Sequence, residues 1–337
     1  MKNINSRKEK ITVIGDGGWG TTLAILLSKK GYPVTVWGAF ADYVCELNKS
    51  RVNSRFLPGF KIPDAVKITH DLGSALLDKD IVVIASPSQH LRSVLKQIKK
   101  SGYSKNAVYL SVTKGIEIDT FKRMSEIIYE ELGKVKLAVL SGPTIAHEVA
   151  AGVPTAAVIA SANIKIRKQL QGVFMTDKFR IYTNSDVVGV ELGGSLKNVI
   201  AIACGISDGL GFGSNTKASL LARGLAEISR LGVAMGAKAQ TFSGISGLGD
   251  LVTTCISKYS RNRHVGEELG KGKTWKQIKS HMQMVAEGVP TAKSAHQLSL
   301  KCKISMPITN EIYSVIYNNK SPSKAVKSLM ARSKKEE

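Results

Sequence analysis

The apolar tetrapeptide Ile11-Thr12-Val13-Ile14 runs directly into Gly15-Asp16-Gly17-Gly18-Trp19-Gly20, and an apolar helical pattern follows as far as Gly31. Few chain paths satisfy that order. A strand that must become a helix within one turn needs a glycine to make the turn, a second where a ligand approaches the backbone, and a third where helix lies on strand. Gly15, Gly17 and Gly20 hold those three places. The helix start that results offers unpaired N–H groups and partial positive charge, a cradle for phosphate. A glycine-rich turn alone is a weak signal, but placement between strand and helix is the context a dinucleotide-binding turn requires.

Beyond that turn, strand and helix patterns alternate, as in a doubly wound sheet. Strands are predicted from Val34 to Trp37, Ile81 to Ala85, Val108 to Val112, Leu137 to Leu140, Ala156 to Ile159 and Phe179 to Tyr182. Helical periodicity runs from Leu91 to Lys99, Met124 to Leu132 and Ile164 to Phe174. After Ser185 strand-like runs vanish, and long segments rich in alanine, glycine and leucine follow, one from Val187 through Ala203 and another from Thr216 to Met235. The chain thus reads as α/β: a Rossmann-type doubly wound, dinucleotide-binding domain over 1–185, then an all-α domain over 186–337. A length of 337 residues suits two domains of ordinary size.

Several function classes lose support. No uninterrupted apolar run approaches the roughly 18 residues of a bilayer span, and the polar start Met1-Lys2-Asn3-Ile4-Asn5-Ser6 lacks a signal-peptide core. A cytoplasmic protein without integral membrane association is expected. Cys45, Cys204, Cys255 and Cys302 form no C-x-x-C pair and read as reduced thiols. His147-Glu148 lacks the second histidine of a zinc helix, so no metal is expected. A net charge of +22 suggests phosphate-rich partners. The lysines are nevertheless spread thinly and not interleaved with aromatic residues, which favours a solvated basic surface that attracts anionic metabolites over a nucleic-acid partner.

Candidate chemistry lies in five places. Lys197 sits among small and apolar residues, Glu191-Leu192-Gly193-Gly194-Ser195-Leu196-Lys197-Asn198-Val199, where burial would lower its pKa and suit it to proton transfer. A lysine snorkelling from a buried helix is the plainer alternative. Lys114 ends a predicted strand, where ligands of open α/β sheets bind, or is an ordinary turn lysine. Gly142-Pro143-Thr144 follows another strand and either flattens a loop against a cofactor or simply starts a helix. Ser260-Arg261-Asn262 offers a planar guanidinium fork and two polar neighbours to a phosphate, or is a solvated turn. Asp250 could hold a lysine ammonium in place. Gly272-Lys273-Thr274 is not a P-loop, because Glu267 stands where its first glycine belongs, and Leu248 spoils a nucleophile elbow at Gly244-Ile245-Ser246-Gly247.

In order along the chain, these segments resemble the NAD(P)-dependent glycerol-3-phosphate dehydrogenases of bacterial type. The set is the glycine turn with Trp19, Asn53 before Phe56-Leu57-Pro58-Gly59, Pro87-Ser88-Gln89, Thr113-Lys114-Gly115, Gly142-Pro143-Thr144, Leu196-Lys197-Asn198-Val199, Gly247-Leu248-Gly249-Asp250, Ser260-Arg261-Asn262 and Val285-Ala286-Glu287-Gly288. The resemblance implies hydride exchange between sn-glycerol 3-phosphate and dihydroxyacetone phosphate, supplying phospholipid synthesis, in a homodimer. It implies Lys197 as proton acceptor in the oxidation. Substrate contacts would come from Lys114, Gly142, Thr144, Lys197, Asp250, Ser260, Arg261 and Asn262. Cofactor contacts would come from Gly18, Trp19, Lys114, Ala146, Arg261, Val285 and Glu287, beside Gly15, Gly17 and Gly20 of the turn.

Gly18 stands where many members have serine, and Trp37 is followed by Gly38-Ala39-Phe40 instead of an early basic residue, so NAD and NADP both stay open. A β-hydroxyacid dehydrogenase would carry asparagine four residues after the lysine, where this chain has Ala201. A non-catalytic dinucleotide sensor or a basic nucleic-acid-binding protein would not need Lys197, Asp250 and Arg261 together.

Overall fold

Ile11–Ile14 is buried at every residue, as a strand covered on both faces must be. In the computed structural model, which describes residues 7–282 and 284–333, it lies inside an eight-stranded sheet. The strand order is Lys67–Thr69, Val34–Trp37, Ile11–Ile14, Ile81–Ile84, Val108–Ser111, Lys136–Ser141, Thr155–Ala160 and Phe179–Asn184. Neighbours from Lys67–Thr69 through Lys136–Ser141 pair in parallel, as do the last two strands. Ile11 is in register with Val34 on one side and Ile81 on the other. The chain first builds outward through Val34–Trp37 and then restarts at Ile81–Ile84. That reversal opens a crevice beyond the carboxyl ends of the two strands, where ligands of such sheets bind.

Two features escaped the sequence. The edge strand Lys67–Thr69 buries only Ile68, and an antiparallel pair, Val52–Asn53 with Leu57–Lys61, is mostly exposed apart from Asn53 and Leu57. Neither has the apolar run by which the central strands are recognisable.

Contacts divide the chain into two compact units. The first draws on the chain up to Thr113, Ser125–Leu140 and Thr144–Ser185; the second on Lys114–Met124, Ser141–Pro143 and the chain from Asp186 onward. From Asp186 onward no strand occurs among the described residues.

The axis of the second unit is the 23-residue helix Val187–Gly209, buried at every residue from Gly189 to Ser207. Asp186 starts it, its carboxylate accepting from Gly189 N at 2.9 Å, Lys238 N at 2.8 Å and Thr241 Oγ1 at 2.7 Å. This helix is long and apolar enough to cross a bilayer, although it forms the core of its unit. Glu191 and Lys197 interrupt its apolar run without interrupting the helix.

Arg261–Gly270 packs on this axis through glycines. A Cβ on Gly266 would fall on the Ile202 carbonyl oxygen, and one on Gly270 would lie 2.6 Å from that of Ile206. Gly205 and Gly209 clear the facing positions.

Candidate functional site

The first unit builds the cradle. Gly15 has φ +123°, and a Cβ there would lie 2.8 Å from the Ala85 carbonyl oxygen; a Cβ on Gly20 would strike the Gly15 carbonyl oxygen. Gly17 differs, since nothing lies within 4 Å of where its Cβ would point. It precedes the helix Gly18–Lys29, which no side chain caps. An uncapped helix start beside an open backbone fits the pyrophosphate of a dinucleotide.

Asn53, fully buried, holds this turn in place. Its amide nitrogen donates to the Asp16 carbonyl and to Thr21 Oγ1, both at 2.7 Å, while its oxygen accepts from Tyr43 Oη at 2.6 Å and Phe56 N at 3.1 Å. The same hairpin accounts for Gly18, because a serine Cβ there would lie 2.5 Å from the Phe56 carbonyl oxygen. Ala146 sits beside Gly18, its carbonyl accepting from Thr22 Oγ1 at 3.1 Å. The Trp19 ring packs edge-on to Phe179 at 6.3 Å between centroids, with its buried indole nitrogen lacking a partner among the described residues.

The second unit builds a cationic pair around one carboxylate. Asp250, 1% exposed, accepts from Lys197 Nζ on Oδ1 and from Lys114 Nζ on Oδ2, the latter at 2.7 Å. Lys197 Nζ also donates to Thr254 Oγ1 at 2.6 Å, and Lys114 Nζ to the Gly142 carbonyl at 2.9 Å. Burial lowers the Lys197 pKa to about 7; Asp250 opposes that shift and Lys114 adds to it. Glycines one turn earlier make room. A Cβ on Gly193 would lie 2.7 Å from the Ser246 carbonyl oxygen, and one on Gly194 would strike Ser141 Oγ.

Lys114 is fixed by its own segment. Ser195 Oγ accepts from Gly115 N at 2.9 Å and donates to the Glu191 carbonyl at 2.8 Å, Ser294 Oγ donates to the Ile116 carbonyl at 3.1 Å, and Arg123 pairs with Glu191 at 2.6 Å.

Ser260 caps the ten-residue helix Arg261–Gly270, its Oγ accepting from Arg263 N at 3.2 Å. Arg261 stands at that helix start, where burial of its guanidinium by the surrounding protein lowers its pKa and Glu287, the residue before the helix Gly288–Lys301, opposes the shift. Asn262 is buried and engaged at both ends of its amide, donating to Asn198 Oδ1 at 2.9 Å and accepting from Gly288 N at 2.8 Å. Only its second N–H is uncommitted by these bonds. Val285 is 44% exposed.

Of the residues anticipated from sequence, Gly15, Gly17, Gly18, Trp19, Gly20, Thr144 and Ala146 belong to the first unit. Lys114, Gly142, Lys197, Asp250, Ser260, Arg261, Asn262, Val285 and Glu287 belong to the second. Lys114, Gly142, Lys197 and Asp250 form one hydrogen-bonded group, which Thr254 extends and Ser195 supports through Gly115. The helical period would have flagged Thr254, four residues after Asp250, whose carbonyl its hydroxyl also reaches at 2.7 Å.

Residues 10–167 match the family described as NAD-dependent glycerol-3-phosphate dehydrogenase N-terminus, and residues 186–327 match its C-terminus. A glycerol-3-phosphate dehydrogenase [NAD(P)+] of Citrifermentans bemidjiense is 51% identical over 98% of this chain and 99% of its own. One from Thermoanaerobacter sp. is 50% identical over 97% and 98%. The crystal structure of glycerol-3-phosphate dehydrogenase from Coxiella burnetii superposes with a TM-score of 0.93 at 39% identity, covering 96% of this chain and 99% of that one.

Proposed function

The chain belongs to the NAD-dependent glycerol-3-phosphate dehydrogenase family, and from that membership we propose that it interconverts sn-glycerol 3-phosphate and dihydroxyacetone phosphate with NAD or NADP. The observation that carries the reading is the lysine whose pKa is brought to about 7 by burial, hydrogen-bonded to a buried carboxylate that a second lysine shares.

When bound, the nicotinamide supplies the hydride for reduction of the ketone and accepts it in the reverse direction. The remaining chemistry belongs to side chains. In reduction, Lys197 gives its proton to the oxygen of the former carbonyl; in oxidation, neutral Lys197 takes the hydroxyl proton. Both states are accessible near neutral pH, which is the requirement for a group that must work in two directions. Lys114, bonded to the same carboxylate, stabilises the developing alkoxide, an effect that grows where water is excluded. Asp250 holds both ammonium groups and prevents their mutual repulsion from driving them apart.

Phosphate falls to Ser260, Arg261 and Asn262. A helix start and a guanidinium suit a dianion, and the second N–H of Asn262 adds a donor. Gly15, Gly17, Gly18 and Gly20 would hold the cofactor pyrophosphate. Glycerol 3-phosphate is the backbone of membrane phospholipids, so we assign the enzyme to precursor supply in the cytoplasm.

The test follows absorbance at 340 nm with purified protein, dihydroxyacetone phosphate, and NADH or NADPH in parallel. Oxidation with the phosphorylated ketone but not with unphosphorylated dihydroxyacetone is expected. Equal rates with both ketones would remove the phosphate role, and no turnover with either nucleotide would reject the reading.

A further inference from the structure

Selection between NAD and NADP in a sheet of this kind is ordinarily made at the end of the second strand, where an acid accepts from the adenosine ribose 2′-hydroxyl or a basic residue holds a 2′-phosphate. In this chain the strand Val34–Trp37 ends on Gly38-Ala39-Phe40, which offers neither.

The glycine turn supplies what the strand lacks. Gly38 is fixed at the strand end, its N–H donating to the Thr69 carbonyl at 3.0 Å. A Cβ on Gly38 would fall on Asp16 Oδ2 and lie 3.0 Å from the Asp16 carboxyl carbon. The carboxylate of Asp16 therefore stands where a side chain of residue 38 would begin. Its backbone is pinned, since the Asp16 carbonyl accepts from Asn53 Nδ2 at 2.7 Å and Thr21 Oγ1 at 3.3 Å.

The carboxylate is also poorly served by the protein. Oδ2 is closed off from solvent without a hydrogen-bond partner among the described residues, although Asp16 as a residue is only half-buried. Tyr43, the nearby hydroxyl, donates instead to Asn53. Burial raises the Asp16 pKa, against its own backbone N–H, which lowers it. A carboxyl group held at cost in this way is stabilised by any ligand hydroxyl that donates to it.

We propose that Asp16 selects NAD(H) over NADP(H), its carboxylate accepting from the ribose 2′-hydroxyl and excluding a 2′-phosphate by charge and by occupied space. The inference rests on the dinucleotide-binding reading of the turn. A hydrogen bond to a charged group that one nucleotide makes and the other cannot should give roughly tenfold or greater discrimination.

The experiment titrates wild-type protein, Asp16→Ser and Asp16→Asn with NADH and with NADPH by isothermal calorimetry, and measures kcat/KM for each nucleotide. Wild type should bind NADH about tenfold or more tightly than NADPH. Both variants should narrow that ratio by a similar factor, with NADPH binding gained as NADH binding is lost. Absence of a wild-type preference, or a ratio unchanged in both variants, would overturn the proposal. So would loss of both nucleotides in both variants, because a selectivity group should spare NADPH. If wild type bound neither nucleotide, the dinucleotide reading itself would fail, a result distinct from the others.

Discussion

Lys197 illustrates how one side chain can be tuned by three neighbours of opposite effect. Burial lowers its pKa to about 7, Lys114 pushes the same way, and Asp250 holds it up. Glycerol 3-phosphate oxidation needs the neutral amine, so its kcat/KM should rise with pH through about 7 and then level; ketone reduction needs the ammonium and should fall over the same range. Removing each neighbour moves this limb in a definite direction. Asp250→Asn removes a group that raises the pKa and should shift the limb to lower pH, whereas Lys114→Met should shift it upward. A limb that stayed fixed in both variants would disconnect Lys197 from the observed titration. Lys197→Ala should lower turnover by about 10²- to 10⁴-fold, and near-normal turnover would remove it from proton transfer. Stability carries the same signature. The folded pKa lies below the ordinary lysine value of 10.5, so between about 7 and that value the unfolded chain binds the extra proton, and this group's contribution to stability rises with pH.

Whole elements depend on how closely backbones can approach. The helices Val187–Gly209 and Arg261–Gly270 meet through Gly205, Gly209, Gly266 and Gly270, and the second helix begins with the residues assigned to phosphate. Gly266→Ala places a methyl on the Ile202 carbonyl oxygen and should cost about 1–3 kcal/mol, read as a lower midpoint in urea unfolding. It should also raise the KM for dihydroxyacetone phosphate by displacing Arg261 and Asn262. Gly172→Ala is the control. It lies inside the helix Ile164–Phe174 with nothing within 4 Å of the new methyl, and should stabilise by about 0.4–1 kcal/mol. A midpoint unchanged by Gly266→Ala would mean that these helices slide apart freely. The same scale marks what sequence could show. Continuous apolar runs revealed the central strands, and glycine spacing revealed the turn. The edge strand Lys67–Thr69 was illegible because one buried residue leaves no pattern. Lys197 and Asp250 were visible singly, but their contact joins residues 53 apart in the chain, and only packing produces it. Asp16 was silent for the same reason, its meaning lying in its approach to Gly38.

At the scale of the molecule, charge is the property no single site explains. A net charge of +22 on 337 residues creates a positive field around a protein whose substrate and cofactors are all anions. Such a field raises local anion concentration and accelerates encounter. Screening limits its range to about 30 Å at 0.01 M ionic strength and about 8 Å at 0.15 M. Raising salt across that interval should therefore lower kcat/KM for dihydroxyacetone phosphate several-fold, mainly through KM, with kcat nearly constant. The effect should follow ionic strength and not the identity of the salt, because an anion competing at Arg261 would act specifically, phosphate or sulfate more strongly than chloride at matched strength. A KM insensitive to salt would show that substrate capture depends on contacts at Lys114, Ser260 and Arg261 alone, and would leave the excess lysines as a solubilising surface. A smooth decline common to all salts would show that the composition assists the site from a distance.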